Sequence, residues 1–250
     1  MVIARNRSIA DSNPIPRVVV IQARLESQRR SGKGLALIAG RSLIGHVVQR
    51  ALEIRNVDHC VIATTDRPRD DALVSHLTAD FGKRIEFVRG SSDDVQSRFL
   101  VVAETAGPCL MARITADDPF KDPSLYERGF DLVEQMGVDY TSIGSPPMPL
   151  GLDIEVFTSE ALLRSRELFP TEENREHVTL SLFQEPNFTK ASLQVDSISP
   201  SDSRLTVDYE EDIVFTSRIA REIDALGGGF DLATTLAALD RVEKADKGAD

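Results

Sequence analysis

The feature that most constrains the fold is a recurring pattern. Within about 120 residues, four short apolar runs rich in β-branched side chains each give way to a segment with helical apolar spacing. The runs are Arg17 to Gln22 (RVVVIQ), Cys60 to Ala63, Ile85 to Val88 and Cys109 to Ile114. After the first, Leu43, Ile44, Val47, Val48, Ala51 and Leu52 recur with a helical period behind Ser42; after the second comes the amphipathic DDALVSHLTADF. Asp93 with Gln96 reads as a capping box opening VQSRFLVVAETA. Asp122 reads as the cap of a helix with Pro123 in its first turn and Gly137 past its end. Runs apolar throughout are buried on both faces, and strand–helix alternation requires parallel crossovers. The expected class is therefore α/β, an open, mostly parallel sheet with helices on both faces.

From residue 139 the pattern changes. Residues 152–157 and 188–195 read as longer strands flanking helical stretches at 160–168 and 172–185, so 139–200 is expected to be an inserted α+β segment. Residues 204–208 then read as a strand and 209–225 as a helix, returning to the α/β style. The 250 residues fit a leader (1–16), one domain (17–240) and a charged tail (241–250).

A formal charge of −11 argues against a protein built to grip a nucleic-acid backbone. Its distribution is uneven: residues 1–55 hold ten Lys and Arg against three acids, leaving −18 in the remainder. A small polyanion would find its site near the N-terminal end. No stretch approaches the roughly 18 apolar residues of a membrane span, and MVIARNRSIADSNPIP lacks the apolar core of a secretory signal. A cytoplasmic protein is expected. Cys60 and Cys109 sit in apolar runs, as buried reduced thiols do.

Open α/β sheets bind ligands beyond the carboxyl ends of their strands, which singles out the polar residues there. After the first strand come Arg24, Ser27, Arg29, Arg30 and Lys33 with Gly32 and Gly34, cations and backbone amides able to wrap a polyphosphate; the rival reading is a solvated basic loop. Neither a Walker A nor a G-x-G-x-x-G pattern is present. After the fourth strand comes Asp117-Asp118-Pro119, where a carboxylate could hold Mg²⁺ against phosphate or form a turn. Asp208 is a second candidate, or else the cap of the next helix with Glu211 three residues on. His46 reads as packing, while His177 is either a satisfied structural group or a substrate contact. Zincin, zinc-deaminase and α/β-hydrolase motifs are absent.

VVVIQARLESQRRSGKGLALIAGRSLIGHVVQRA resembles the opening of the SpsF-like cytidylyltransferases, relatives of acylneuraminate and 3-deoxy-manno-octulosonate cytidylyltransferases. The resemblance continues through ATTDRPRDDAL, RGSSDDVQSRF, ARITADDPFKDPSL, PLGLDIEVF, REHVTL and LTVDYEEDI, covering about residues 17–215. Departures are Glu26 for Gly, Ser31 for Pro, Ala116 for Gly, Tyr209 for Thr and Leu150 where Arg often precedes G-L-D. What the resemblance implies is a nucleotide-diphospho-sugar transferase-like fold and transfer of CMP from CTP to an acid sugar, with release of pyrophosphate. It implies that Arg24, Arg29 and Lys33 hold the triphosphate and that Asp117 and Asp208 ligate Mg²⁺. Ala23, Ser27, Asp94, Arg98 and Arg113 would contact the nucleotide, and Glu176 and His177 the acceptor. A homodimer formed through residues 139–200 is also implied. The alternatives are another acceptor, such as a sugar phosphate or phosphonate, and a non-catalytic nucleotide-binding module.

Overall fold

The computed structural model describes residues 15–26, 32–144, 148–195 and 203–248. In chain order the elements begin with β1 (Arg17–Gln22), the small hairpin β2 (Leu37–Ile38) and β3 (Arg41–Ser42), α1 (Leu43–Glu53), β4 (His59–Thr65), α2 (Asp71–Phe81) and β5 (Glu86–Gly90). They continue with α3 (Val95–Ala106), β6 (Leu110–Thr115), α4 (Pro123–Met136), β7 (Tyr140–Ile143), β8 (Glu155–Thr158) and α5 (Ser159–Leu168). The last are α6 (Glu172–His177), α7 (Leu180–Gln184), β9 (Lys190–Leu193), α8 (Glu210–Ala225) and α9 (Leu232–Lys247).

Seven strands form one sheet in the order β5-β4-β1-β6-β8-β7-β9, parallel except for β8, which pairs antiparallel with both β6 and β7. Alternation along β1 explains the two-faced core. Val19 and Ile21 pack against α1, α2 and α4 through Val47, Leu77 and Phe130, whereas Val18 and Val20 meet α3, α5 and α7 through Phe99, Leu162 and Leu182. Burying each such side chain is worth about 1.5–3 kcal/mol, which is why an unbroken β-branched run becomes a central strand. A third cluster joins Leu205 and Val207 to Ile219 and Leu239 of α8 and α9. Cys60 and Cys109 are buried free thiols, with burial pushing both up to about 12.

Several local expectations need correction. The cap of α3 is Asp94, whose carboxylate accepts from Ser97 N at 2.9 Å, and not an Asp93–Gln96 box; the Gln96 amide is buried and donates to Ser165 Oγ and Val178 O. The stretch 152–157 becomes strand only at Glu155, and 188–195 shrinks to Lys190–Leu193; both join the main sheet. The stretch 172–185 is two helices, broken at Val178 with φ 61°. Residues 204–208 form no ladder, making isolated backbone bonds instead. Asp208 does not cap α8: the cap is Tyr209, whose N–H, like that of Asp208, donates to the Asp212 carboxylate at 2.7 Å. The charged run from 241 is helical through Lys247 rather than a tail, with Val242 buried against α8.

Candidate active site

The chain steps from β1 outward through β4 and β5, then crosses back to place β6 on the other side of β1. Loops leaving β1 and β6 therefore diverge and open a crevice at the carboxyl edge of the sheet. Gln22 pairs in register with Thr115 on one side and Ala63 on the other, so the residues after β1 and β6 begin at the same level.

Lys33 opens a short 3₁₀ turn behind Gly32, whose φ of +78° strains any residue with a Cβ. Gly32 N bonds Leu25 O at 2.7 Å. The loop's start is fixed by Asp70, buried at the head of α2, which accepts from Leu25 N at 2.7 Å and from the Thr65 hydroxyl. From the far end of the sequence, Leu205 N bonds Leu150 O at 2.8 Å and Val207 N bonds Asp117 O at 3.0 Å. Gly151 permits this approach: its φ is +101° and a Cβ there would lie 3.0 Å from the Leu205 carbonyl carbon. The extended segment consequently lays Asp208 beside Asp117.

The three side chains meet. Lys33 Nζ donates to Asp117 Oδ2 at 3.0 Å, Asp208 Oδ1 at 2.9 Å and Val207 O at 2.9 Å. Burial pulls the Lys33 ammonium down, but Asp117 and Asp208 together hold it above its ordinary value. Arg204 approaches the other Asp208 oxygen at 3.5 Å. Two carboxylates already converging on one cation form a hard-oxygen donor pair of the kind Mg²⁺ takes. Among the described residues no cluster of three or more His, Cys, Asp or Glu gathers to hold a metal, so further ligands would come from phosphate and water. Of the Asp117-Asp118 pair, only Asp117 faces Lys33. Asp118 is buried, accepts from Thr115 Oγ1 at 2.6 Å and pairs with Lys121 at 3.0 Å; burial pushes it up to about 6 against the pull of Lys121.

Beside β1 lies a recess of about 160 Å³ that brings together six of the residues expected at the site: Ala23, Arg24, Arg98, Arg113, Glu176 and His177. Three arginines and one acid, Glu176, line it; with Arg113 already paired to Glu155, Arg24 and Arg98 supply the charge suited to an anion. Arg24 Nη1 donates to Ser92 O at 3.1 Å. Arg98 is buried, donates to Ala63 O at 2.7 Å and has no partner for its Nε among the described residues; burial, with Arg24 adding to it, pushes it down to about 10. Arg113 is gripped by Gln22 Oε1 at 2.8 Å and by Glu155, which outweighs burial and holds it above its ordinary value. Glu176 and His177 are exposed at the end of α6. The next residue, Val178, is β-branched, fully buried and at φ +61°, ψ −58°, a conformation costing on the order of 1–3 kcal/mol that persists only where surroundings over-determine it.

Asp94 is a correction. Its carboxylate takes Arg166 Nη2 at 2.6 Å and caps α3, and it does not line the recess; it pairs with Arg166, not Arg98. Arg29 and Ser27 lie outside the described residues. Sequence reasoning missed Gln22, Asp70, Glu155 and Thr179. Asp70 carries a signal, an acid at a helix start just after a strand, while Gln22, Glu155 and Thr179 sit where a strand or helix end explains them equally well.

The profile of the cytidylyltransferase family matches residues 18–237. The chain is 33% identical over 200 residues to the spore coat polysaccharide biosynthesis protein SpsF of Bacillus subtilis (strain 168), covering 77% of this chain and 81% of that one. It is 31% identical over 108 residues to the 3-deoxy-manno-octulosonate cytidylyltransferase of Geobacter sulfurreducens, covering 43% and 41%. A solved cytidylyltransferase from Leptospira borgpetersenii shares the fold at a TM-score of 0.79 and 21% identity, covering 94% of this chain and 96% of that one. Since the matched span runs from the first residues of β1 into α9, taking in the arginine-lined recess and both carboxylates on Lys33, this chain belongs to the cytidylyltransferase family.

Proposed function

We propose that the protein transfers CMP from CTP to an acid sugar of the nonulosonic or octulosonic type, releasing pyrophosphate, with Mg²⁺ as cofactor and in the service of surface polysaccharide synthesis. The observation that carries this reading is the meeting of Asp117 and Asp208 on Lys33 beside a recess lined by three arginines. A protein that only bound a nucleotide would have no need of two carboxylates facing a triphosphate.

Such a transfer is mostly positioning and charge neutralisation, with an acceptor oxygen attacking the α-phosphate in line. Asp117 and Asp208 would hold Mg²⁺, which when bound neutralises phosphate charge and makes the attacking hydroxyl more acidic. Arg24 and Lys33 hold the triphosphate, joined by Arg29 from the loop after β1. Arg98 and Arg113 bind on the nucleotide side with Ala23, and Glu176 and His177 orient the acceptor. No covalent nucleophile is required.

The test is pyrophosphate release from each of the four NTPs with Mg²⁺ against a panel of nonulosonic and octulosonic acids, sugar phosphates and phosphonates. Release confined to CTP with an acid sugar supports the reading; release only with a sugar phosphate or phosphonate, or with none of the panel, overturns it. We further propose a homodimer through the 139–200 region. Its support is the position of β9 at a sheet edge, with Lys190 of that strand donating to the carbonyl of the exposed Phe183. Sedimentation at micromolar concentration should return twice the chain mass, and a monomer would contradict it. Among the described residues no helix is long and apolar enough to cross a membrane, in keeping with a cytoplasmic enzyme.

A further inference from the structure

We propose that Glu155 is a positioning residue that couples Arg113 in the recess to the turn carrying Glu176 and His177, so that nucleotide binding and the shape of the acceptor wall are linked. The proposal rests on the reading of the recess as the nucleotide site.

Three groups from three separate elements converge on this one carboxylate. Its Oε2 accepts from Arg113 Nη1, while Oε1 accepts from the Tyr140 hydroxyl at 3.1 Å and from Thr179 Oγ1. Register fixes the first contact, since Glu155 pairs directly with Arg113 across β6 and β8. Arg113 is held on its other side by Gln22 Oε1 at 2.8 Å, so its guanidinium has little freedom except toward the recess.

The Thr179 contact reaches the other wall. Thr179 follows Val178 with its positive φ, which in turn follows Glu176 and His177. Gln96 Nε2 fixes the Val178 carbonyl at 3.1 Å, and Thr179 Oγ1 ties the next residue to Glu155. A β-branched residue at positive φ relaxes unless both flanks are held. Glu155 holds one flank, and the same carboxylate fixes Arg113. Neutralising an internal Arg also requires an acid, but that task uses one oxygen and does not account for the Thr179 bond.

The experiment combines CTP titration calorimetry with hydrogen exchange of the 174–180 amides, using CTP as the only probe. In the wild type, CTP should slow exchange in this segment. Thr179→Val, which deletes the hydroxyl and leaves the Arg113–Glu155 pair, should keep CTP affinity within about twofold yet lose most of that protection. Thr179→Ser should restore it. Glu155→Gln should weaken CTP binding about tenfold or more and lose the protection, because one oxygen that accepted from Arg113 or Thr179 becomes an amide donor. If Glu155→Gln fails to fold, the two Thr179 variants still decide. Retained protection in Thr179→Val, or unchanged CTP affinity in a folded Glu155→Gln, overturns the proposal alone. Absence of CTP binding by the wild type overturns the reading of the recess, and the proposal with it.

Discussion

The carboxylates of Asp117 and Asp208, 91 residues apart in the chain, accept hydrogen bonds from the same ammonium, Lys33 Nζ, at 3.0 and 2.9 Å. Without that cation, one of two carboxylates converging on a single point would be driven toward protonation. The loop after β1, the loop after β6 and the extended segment before α8 are therefore bound into one electrostatic unit, and each can be tested through the others.

If the two acids act together, Asp117→Asn and Asp208→Asn should each lower kcat strongly, and the double variant should be little worse than either single one. Each single variant should melt close to wild type because Lys33 keeps the other carboxylate, whereas the double variant should melt lower because it leaves the ammonium without an anionic partner. Turn residues without a chemical role would give near-normal kcat and a stability loss of at most about 1 kcal/mol each. Steady-state kinetics and thermal unfolding of the three variants separate the outcomes.

Removing the shared cation should be costly in a way that metal can repair. Lys33→Ala leaves two carboxylates in a site where the lysine side chain is only 13% exposed. The expected loss is about 1–3 kcal/mol, below that of a fully enclosed pair because Asp117 is partly open to water. Added Mg²⁺ should raise the melting temperature of this variant more than that of the wild type, where the ammonium competes. Equal Mg²⁺ shifts in the two proteins would count against a shared cation position. With CTP as substrate, the same variant and Lys33→Glu should raise KM for CTP, the reversal more than the deletion.

Gly151→Ala should destabilise the protein by about 1–2 kcal/mol or more, since alanine must adopt φ of +101° and push its Cβ against the Leu205 backbone. The strain should appear at a distance as a loss of activity, because the displaced segment carries Asp208. Chemical denaturation and kcat on the same sample check both; a stable variant with full activity would show that the segment tolerates displacement.

Asp94 predicts a pH effect of definite sign. Against the upward pull of its burial, Arg166 and the Ser97 N–H hold this carboxyl below the usual carboxylate range. Its contribution to stability is therefore fully present above the unfolded-state value of about 4 and lost as pH falls through the lower folded value. The melting-temperature gap between wild type and Asp94→Asn should be constant from pH 7 to about 5 and close at lower pH. A gap that widens on acidification would reverse the assignment.

What was legible in the sequence follows from physics at short range. Lys33, Asp117 and Asp208 each follow an apolar run or a glycine-bearing loop, and a parallel sheet carries such residues to one edge; that Asp208's run makes no ladder changed nothing, because Val207 N still bonds Asp117 O. Asp94 misled because a helix cap and a ligand contact call for the same side chain in the same place, and only the position of Arg166, 72 residues away, separates them. Glu155 and Thr179 were hidden for a different reason. Their importance lies in whom they meet across the sheet, and partners from β6, β7 and the α6–α7 turn leave no periodic trace in any one of the segments. The break at Val178 was invisible because valine announces no turn at positive φ.

The reversed direction of β8 has a consequence for how such an enzyme can change its acceptor. In a parallel strand the chain leaves the binding edge after crossing the sheet, so its outgoing loop faces the ligand. In β8 the first residue, Glu155, pairs with Arg113 near the carboxyl end of β6, so the incoming segment from Met148 to Ile154 delivers the chain to that edge. Insertions or substitutions there, Leu150 among them, reshape the approach from outside while the ladders of β1 with β4 and β6 stay unaltered. Under the proposed function, exposed side chains of this stretch can vary the acceptor's approach, whereas its backbone at Leu150 and Gly151 cannot shift without moving the segment that carries Asp208.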